Sequence, residues 1–263
     1  MDVLDRHWDN LFGRCALDGE SWHSITTTYS LDGEVTGSRK FIRTFYPNSD
    51  RSVITHTNRY YEANGSVREQ SWQIDKEQCN QPNGLIHPAA GSMRALSCGN
   101  GVRAWITPKW QVGRTASPEL FIPNGNRRNS LVIIYSAVGR LDRIFHIREQ
   151  LDEFPAPPSP PPDFDSSALW NVTRTQMTPD LHISRETPTE PVTLDSILNG
   201  DRGLMLTDGV AVYTPEKVTQ GQAFDVVVGQ AISQNHYERV KVKYDDSGNF
   251  SLLISEVFHT ASS

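Results

Sequence analysis

The sequence has few cysteines, and none of them stands in a disulfide or metal-binding pattern. Cys15, Cys79 and Cys98 are odd in number, widely spaced and without a CxxC pair, so we expect buried free thiols and no disulfide framework. The eight histidines never occur at i, i+2 or i, i+4 spacing. We therefore expect no metal site and no cofactor.

Common catalytic and targeting signals are also missing. The sequence contains no GxSxG, HExxH, Walker or GxGxxG motif, which removes the usual support for hydrolase, zinc protease, kinase and dinucleotide-binding functions. A net charge of -6 without a concentrated basic face argues against nucleic acid as a partner. The opening residues MDVLDRHWDNLFGR mix charged and apolar side chains, so we expect no secretory signal, no membrane insertion and a cytoplasmic location.

The sequence does contain one short helical pattern, which is followed by many short strand patterns. Val3, Leu4, Trp8, Leu11 and Phe12 recur at three- and four-residue steps, as in an amphipathic helix. After this helix, segments rich in β-branched and aromatic residues alternate with turns that contain Gly and Asn. These segments lie at 21–30, 38–45, 52–61, 67–74, 101–107, 119–122, 129–136 and 141–149. Consecutive short hairpins of this kind predict an antiparallel up-and-down β-barrel.

A proline-rich segment divides the predicted strands into two groups. Proline lacks the backbone donor that a sheet needs, so LDEFPAPPSPPPDF predicts a stiff linker over residues 151–165. Further strands are predicted at 170–177, 204–215, 223–232, 238–245 and 249–258. A short helix is predicted from a cap at Thr193 to a stop at Gly200. We thus predict a barrel with its N-terminal helix over 1–150 and a smaller β-barrel-like unit over 166–263.

Two stretches of the sequence share the same residue pattern. GVRAWITP begins at Gly101 and GVAVYTP begins at Gly209, and both run from Gly-Val to Thr-Pro. Further along each half, a strand ends in tyrosine, at Tyr135 and Tyr244, and a turn with glycine leads to a last strand with an acidic residue, Glu149 or Glu256. The first strands of the two halves also correspond, with Trp22 matched to Trp170. This order predicts an all-β protein whose barrel is duplicated, with a larger N-terminal barrel and a smaller C-terminal barrel or half-barrel that lacks about two strands.

Two segments resemble a known family of lipocalin-like proteins. They are GESWHSITTTYSLDGEV at 19–35 and RRNSLVIIYSAVGRLDRIFHIREQ at 127–150. The combination is similar to a family first known as uncharacterised cyanobacterial proteins, in which a strand with tryptophan precedes a barrel whose late strands carry paired arginines. The resemblance implies that Trp22 closes the barrel floor and stacks under a late arginine, for which we predict Arg148. Fungal members are similar to hetero-Diels-Alderases of tropolonic sesquiterpenoid pathways, which implies a cyclase activity.

Alternating strand positions supply the candidate site residues. Strands that place aromatic and cationic side chains on one face are typical of a ligand cavity, although such residues more often face water or fill the core. The predicted donors to a substrate oxygen are His56, Arg103 and Arg128, which we treat as catalytic candidates. The predicted substrate-binding residues are Tyr60, Trp72, Trp105, Lys109 and Tyr135. Tyr135 has a scaffold role as its alternative, because Tyr244 ends the equivalent strand of the second half.

Three functions remain open from the sequence. The leading hypothesis is a cofactor-free cyclase that joins a tropolone quinone methide to a humulene-type sesquiterpene, a reaction that needs two partners held in a reactive pose. The alternative is a non-catalytic carrier of a small hydrophobic metabolite or pigment. The third is a chromophore-attachment helper, which would require a protein partner. The first two share one expectation, a small hydrophobic molecule bound in a barrel cavity.

Overall fold

The computed structural model describes residues 1–13, 15, 19–188, 190–195 and 203–261. It is nearly all-β and antiparallel, with a nearly closed barrel of eleven strands and a second, smaller sheet. The predicted fold class is therefore confirmed. The helix expected from Thr193 to Gly200 falls partly outside the described residues, and Thr193 itself ends a two-residue strand.

Alternating burial marks several strands of the barrel, for example Glu20–Tyr29, Val53–Tyr61 and Val102–Ile106. The barrel strands are β1 (Glu20–Tyr29), β2 (Val35–Pro47), β3 (Val53–Tyr61), β4 (Val67–Asp75), β5 (Asn80–Gln81), β6 (Gly84–His87), β7 (Ala90–Gly99), β8 (Val102–Ile106), β9 (Glu119–Asn124), β10 (Arg127–Tyr135) and β11 (Leu141–Leu151). They are hydrogen-bonded in the order β4-β3-β2-β1-β11-β10-β9-β8-β7-β6-β5. The two edge strands, β4 and β5, are joined by the single-turn helix α2 (Lys76–Cys79), which brings the edges together.

The second sheet repeats the strand order of the first. Its strands are β12 (Leu169–Met177), β13 (Ile183–Glu186), β14 (Val192–Thr193), β15 (Gly203–Met205), β16 (Val210–Tyr213), β17 (Phe224–Ser233), β18 (His236–Tyr244) and β19 (Phe250–Thr260), and a short 3-10 helix covers Thr207–Gly209. The order β13-β12-β19-β18-β17-β16-β15 matches β2-β1-β11-β10-β9-β8-β7 element by element. The repeated segments therefore lie on equivalent strands, β8 and β16. Among the described residues, the four strands β3 to β6 have no counterparts in the second half, where the sequence predicted that about two would be missing.

Register shows which residues of the two halves correspond. Trp22 pairs with Leu151 in the first sheet, and Trp170 pairs with Thr260 in the second. The two tryptophans are thus equivalent, as the sequence indicated. The acidic residues Glu149 and Glu256 are not, because Phe258 occupies the register position that corresponds to Glu149. The sequence comparison placed this acidic residue two positions away from its true counterpart.

The two halves exchange equivalent backbone contacts at the repeated turns. The Trp110 N–H donates to Gly248 O at 2.7 Å, and the Val218 N–H donates to Gly139 O at 2.8 Å. Two further equivalent bonds run from Phe250 N–H to Pro108 O and from Leu141 N–H to Glu216 O, both 2.9 Å. We call these four bonds the reciprocal turn contacts. Because each Thr-Pro segment pairs with the glycine turn of the other half, the halves are joined by more than the proline-rich segment.

The reciprocal turn contacts leave no space for a side chain at their glycines. Gly139 and Gly248 both have φ +76, and an added Cβ would lie 2.5 Å from Val218 O and 2.6 Å from Trp110 O, respectively. Gly65 has a similar φ of +83 with nothing within 4 Å. We expect Gly139→Ala and Gly248→Ala to lower the free energy of unfolding about 1–3 kcal/mol more than Gly65→Ala, as measured by urea denaturation. Equal losses at all three positions would contradict these contacts.

The two sheets also share one hydrophobic core. Val102, Ala104 and Ile106 of β8 belong to it together with Val210 and Val212 of β16. Because the side chains of a strand point alternately to opposite faces, the intervening residues of β8, Arg103 and Trp105, point into the barrel. The boundaries 1–150 and 166–263 stay a prediction, since this core contains residues from both sides of them.

The predicted N-terminal helix is confirmed as α1 (Val3–Phe12), which begins at the cap residue Asp2. Its apolar face buries Trp8, Leu11 and Phe12 against the interior of the barrel. The helix is held there by polar contacts, including a 2.7 Å ion pair between Lys76 and Asp5. It therefore covers one end of the barrel. Within the described part of the chain, no helix combines the length and apolar character that crossing a membrane requires.

Candidate functional site

A cavity of about 260 Å³ lies inside the N-terminal barrel, below α1. Its wall is mostly apolar, with a few polar groups among aromatic and aliphatic side chains, as is usual for small-molecule sites. The lining residues are Leu11, Phe12, Cys15, Glu20, Arg43, Phe45, His56, Ile74, Leu85, His87, Ala90, Met93, Ala95, Arg103, Trp105, Ser117, Glu119, Phe121, Arg128 and Val132. We call this space the barrel cavity.

A buried ionic cluster forms one side of the barrel cavity. The Nε of Arg128 donates to Glu149 Oε2 at 2.5 Å, and the Ser24 hydroxyl donates to Glu149 Oε1 at 2.8 Å. The Nε of Arg43 lies 4.0 Å from the same Oε1. Burial alone would raise the pKa of Glu149, but the charges of Arg128 and Arg43 and the hydrogen bonds to the carboxylate lower it to about 2. Glu149 is therefore ionised and holds two arginines in place.

The arginine that stacks on Trp22 is Arg128 and not Arg148. The guanidinium carbon of Arg128 lies 4.0 Å from the centroid of the Trp22 ring. Arg148 instead donates to Ala156 O at 2.6 Å, outside the barrel. The prediction was wrong because Arg148 and Glu149 are consecutive on β11, and consecutive strand residues point to opposite faces. Since Glu149 faces inward, Arg148 faces outward.

A directed chain of hydrogen bonds joins two buried histidines to Tyr60. The Ala89 N–H donates to His87 Nδ1 at 3.0 Å, which leaves the proton of neutral His87 on Nε2. His87 Nε2 then donates to His56 Nδ1 at 2.7 Å, and His56 Nε2 donates to Asn58 Oδ1 at 3.1 Å. The Asn58 amide completes the chain by donating to the Tyr60 hydroxyl at 3.1 Å. Both nitrogens of His56 are therefore engaged within the protein.

Both histidines of this chain are neutral at physiological pH. Burial lowers the pKa of His56 to about 2, with the charge of Arg43 as the next cause. Burial and Arg43 likewise lower the pKa of His87 to about 4. Two neutral imidazoles can form the 2.7 Å hydrogen bond between His87 Nε2 and His56 Nδ1 with the one proton on His87 Nε2. Two imidazolium rings at that distance would repel each other.

Within the described residues, Arg103 is the arginine of the barrel cavity that forms neither a hydrogen bond nor an ion pair. In the part of the chain that the structure describes, its guanidinium makes no hydrogen bond, and its Nε is buried without an acceptor. Burial lowers the pKa of Arg103 to about 10, and the charge of Arg128 adds to this effect. The group is still protonated at neutral pH. It therefore presents unused donors to whatever occupies the cavity.

Glu119 lines the barrel cavity, and its pKa is shifted in the opposite direction from that of Glu149. It accepts a hydrogen bond of 2.8 Å from the Ser130 hydroxyl. Burial raises the pKa of Glu119 above its usual range, although the charge of Arg43 opposes the shift. Glu119 and Glu149 thus differ in their titration because Glu149 has a directly bonded arginine and Glu119, among the described residues, does not.

The structure brings four of the predicted site residues together. His56, Arg103, Trp105 and Arg128 all line the barrel cavity. Trp72 lies behind them, with its ring centroid 5.2 Å from that of His56 and 5.2 Å from that of His87. Tyr60 is at the end of the histidine chain, and Arg68 stacks on its ring at 4.2 Å.

Two predicted substrate-binding residues lie elsewhere. Lys109 pairs with Asn249 among the reciprocal turn contacts. Tyr135 is fully buried, and its hydroxyl contacts Thr214 and donates to Pro215 O at 2.9 Å. Their strands carry them to the junction of the two halves, so a ligand in the barrel cavity would not reach them.

Several cavity residues were not identified from the sequence. Arg43 and Phe45 could have been found, because Phe41, Arg43 and Phe45 alternate along β2 as do the residues chosen on β3. His87 ends a four-residue strand and has no periodic pattern around it. Glu119 is a single acidic residue at the start of a strand, and no sequence signal distinguishes it from a solvent-exposed carboxylate.

Comparisons with known proteins agree with this fold. A crystal structure of a protein of unknown function from the DUF3598 family of Nostoc punctiforme is 16% identical, with a TM-score of 0.73 over 97% of this chain and 99% of that chain. An S-type phycobiliprotein lyase from Guillardia theta is 12% identical over 58% of this chain and 97% of its own, with a TM-score of 0.34 that supports no functional inference. No curated protein matches the sequence.

The family follows from a match to the sequence itself. The model of the N-terminal domain of unknown function DUF3598 matches residues 4–154, which is more than half of the 263 residues. The similarity to fungal hetero-Diels-Alderases is not part of this finding and stays a prediction. From the matched domain and the shared barrel, the chain belongs to the DUF3598 family.

Proposed function

We propose that the barrel cavity binds one small, mainly apolar molecule that carries an oxygen acceptor, and that Arg103 donates hydrogen bonds to that oxygen. The observation that supports this most directly is the protonated guanidinium of Arg103, which faces the cavity without an acceptor in the described part of the chain. A buried donor without an acceptor costs about 1–3 kcal/mol. A carboxylate, enolate or carbonyl oxygen of a ligand would recover that free energy.

The shape and lining of the barrel cavity support a single ligand. The volume of about 260 Å³ is close to the lower end of the roughly 300–1,000 Å³ range of small-molecule sites. Trp105, Phe45 and Phe121 form an apolar wall beside Arg103. An elongated apolar body would contact this wall while its oxygen reached the guanidinium.

Replacing Arg103 should therefore weaken the binding of anionic ligands selectively. We expect octanoate to bind the parent protein about tenfold or more tightly than it binds Arg103→Met, because a charge-assisted hydrogen bond is lost. Octanol, which has the same apolar chain without the charge, should bind both proteins with similar affinity. Quenching of tryptophan fluorescence is a suitable measurement because Trp105 lines the cavity.

The matched control for this experiment is Arg59→Met. Arg59 is an exposed arginine that pairs with Glu69 on the outside of the barrel at 3.0 Å, so its loss changes the net charge equally without touching the cavity. Octanoate affinity should stay at the parental value in this variant. If octanoate bound all three proteins with the same affinity, or bound none of them, the role assigned to Arg103 would be wrong.

A second proposal is that the bound molecule reacts in the cavity without a cofactor. Support comes from the placement of a donor, Arg103, beside aromatic surfaces that could exclude water from a reactive intermediate. The specific reaction is the hetero-Diels-Alder cycloaddition of a tropolone quinone methide with a humulene-type sesquiterpene. The volume of about 260 Å³ favours one reactant over two, so binding without reaction is the better-supported function.

Product analysis separates the carrier from the catalyst. The protein is mixed with a tropolone quinone methide precursor and humulenol, and the adducts are compared with those of the spontaneous reaction. An increased yield with one stereochemistry that disappears in Arg103→Met would support catalysis. An unchanged product ratio, together with octanoate binding, would leave the carrier function alone.

A further inference from the structure

A second cavity of about 230 Å³ lies between the first sheet, the proline-rich segment and the second sheet. Its lining includes Arg128 and Arg148 from the first sheet, prolines of residues 155–162, Asp208 after β15, and Gln230 of β17. We call it the proline-segment cavity. Unlike the barrel cavity, it is lined mainly by polar groups, so it is suited to a different kind of occupant.

The proline-rich segment is a fixed wall of this cavity and not a free linker. Arg148 Nη1 donates to Ala156 O at 2.6 Å, and the Ser159 N–H donates to Asp208 Oδ1 at 2.7 Å. The Asp208 N–H donates back to Ser159 O at 3.3 Å. These bonds connect the segment to both halves of the protein, so hydrogen bonds hold the wall that it forms.

Three polar side chains that line the cavity each have an atom without a hydrogen-bond partner in the described residues. The atoms are Arg128 Nη2, Arg148 Nε and Gln230 Oε1. The three residues are only 4%, 7% and 4% exposed. Arg148 Nε does lie 3.7 Å from Asp208 Oδ2, which is an ion-pair distance and not a hydrogen bond. Two donors and one acceptor are therefore available around one enclosed space.

Positive charge exceeds negative charge around the cavity. Arg127, Arg128 and Arg148 line it, and they face the carboxylates of Glu149 and Asp208. Glu149 is further compensated from the barrel side by Arg43. The surplus of positive charge favours an anion, and the unused acceptor of Gln230 favours a ligand that can also donate a hydrogen bond. Both requirements are met by an oxyanion that carries a hydroxyl group.

We propose that the proline-segment cavity binds a small hydroxylated oxyanion, with Arg128 and Arg148 donating to its anionic oxygens and Gln230 accepting from its hydroxyl. Hydrogen phosphate and a small hydroxycarboxylate such as glycolate share this chemistry. Arg128 lines both cavities, but the proposal does not rest on the function assigned to the barrel cavity, because neither Arg148 nor Gln230 lines that cavity.

Titration calorimetry with four probes tests the proposal and distinguishes the two sources of the oxyanion. Inorganic phosphate is compared with sulfate, and glycolate with acetate, because the second member of each pair lacks the hydroxyl donor at neutral pH. We expect phosphate or glycolate to bind at least about tenfold more tightly than its partner. Arg148→Gln should weaken that binding about tenfold or more, and Gln230→Leu should remove the preference for the hydroxylated probe.

Arg143→Gln is the matched control, since Arg143 is on the same strand and carries the same charge but is exposed and pairs with Asp142. It should bind the probes as the parent does, and circular dichroism verifies that each variant is folded. Equal weakening by Arg143→Gln and Arg148→Gln would indicate a general charge effect and overturn the proposal, as would the absence of binding. Loss of binding in Arg103→Met but not in Gln230→Leu would place the anion in the barrel cavity and also overturn it.

Discussion

Glu149→Gln is expected to lower the free energy of unfolding by about 3–5 kcal/mol, the usual consequence of removing one partner from a buried ion pair. The carboxylate of Glu149 is bonded to Arg128 at 2.5 Å and lies 4.0 Å from Arg43. A neutral amide in its place would leave Arg128 without its ion-pair partner and would remove the larger of the two carboxylate charges that act on Arg43, the other being Glu119. Urea denaturation at neutral pH measures the loss, provided that the slope of the transition is unchanged.

Glu119→Gln provides the matched control within the same barrel. Glu119 is bonded to the hydroxyl of Ser130 and to no arginine, and its pKa is raised where that of Glu149 is lowered. A glutamine at this position still accepts from Ser130, so the expected loss is about 1 kcal/mol or less. Similar losses in both variants would show that the Arg128–Glu149 pair does not stabilise the barrel as described.

Periodicity and repetition predicted the fold because both are properties of local sequence. Residues at every second position of a strand share a face, so His56, Arg103 and Trp105 could be selected as one group without coordinates. The repeated segments at Gly101 and Gly209 predicted equivalent strands, and the matching order of the two sheets confirms them. These inferences needed no knowledge of which strands pair.

Other features of the site depend on contacts between distant parts of the chain. Trp22 and its arginine are separated by more than a hundred residues, and only the register of β10 and β11 selects Arg128 over Arg148. The bond between His56 and His87 joins a long strand to the end of a four-residue strand. Tyr135 was ambiguous for a related reason, since its hydroxyl reaches the other half of the protein. Period-two patterns define the faces of a strand but not which face is enclosed.

The stability of the protein is expected to fall steeply as the pH decreases below about 6.5, the ordinary pKa of histidine. Burial lowers the pKa of His56 to about 2, of His87 to about 4 and of His146 to about 3. In the unfolded chain these side chains bind protons as the pH decreases through 6.5, whereas in the folded chain they stay neutral. Unfolding therefore takes up protons, and the free energy of unfolding decreases with decreasing pH.

Buried carboxyl groups with a raised pKa, Glu238 and Glu119, oppose this trend. Burial raises the pKa of Glu238 to about 7, so the folded chain binds a proton at this residue that the unfolded chain has already lost. Its contribution to stability is present at low pH and lost as the pH rises through 7, which is the opposite sign. The three histidines and Glu238 together account for about two protons taken up on unfolding between pH 6 and 5, which corresponds to about 3 kcal/mol per pH unit. His7 and His236, whose pKa values are also lowered by burial, act in the same direction as the three histidines.

Urea denaturation at several pH values between 7.5 and 5 measures this slope, and a variant identifies its origin. His146 is fully buried and bonded to Asn129 at 2.8 Å. His146→Gln keeps an amide for that bond but cannot titrate, so the slope should decrease by about one proton, or about 1.4 kcal/mol per pH unit. His182→Gln removes an exposed histidine and should leave the slope as in the parent.

A free energy of unfolding that is constant or increases from pH 6.5 to 5 would mean that these histidines are not held neutral. The hydrogen-bond directions assigned from His87 to Tyr60 would then have to be revised.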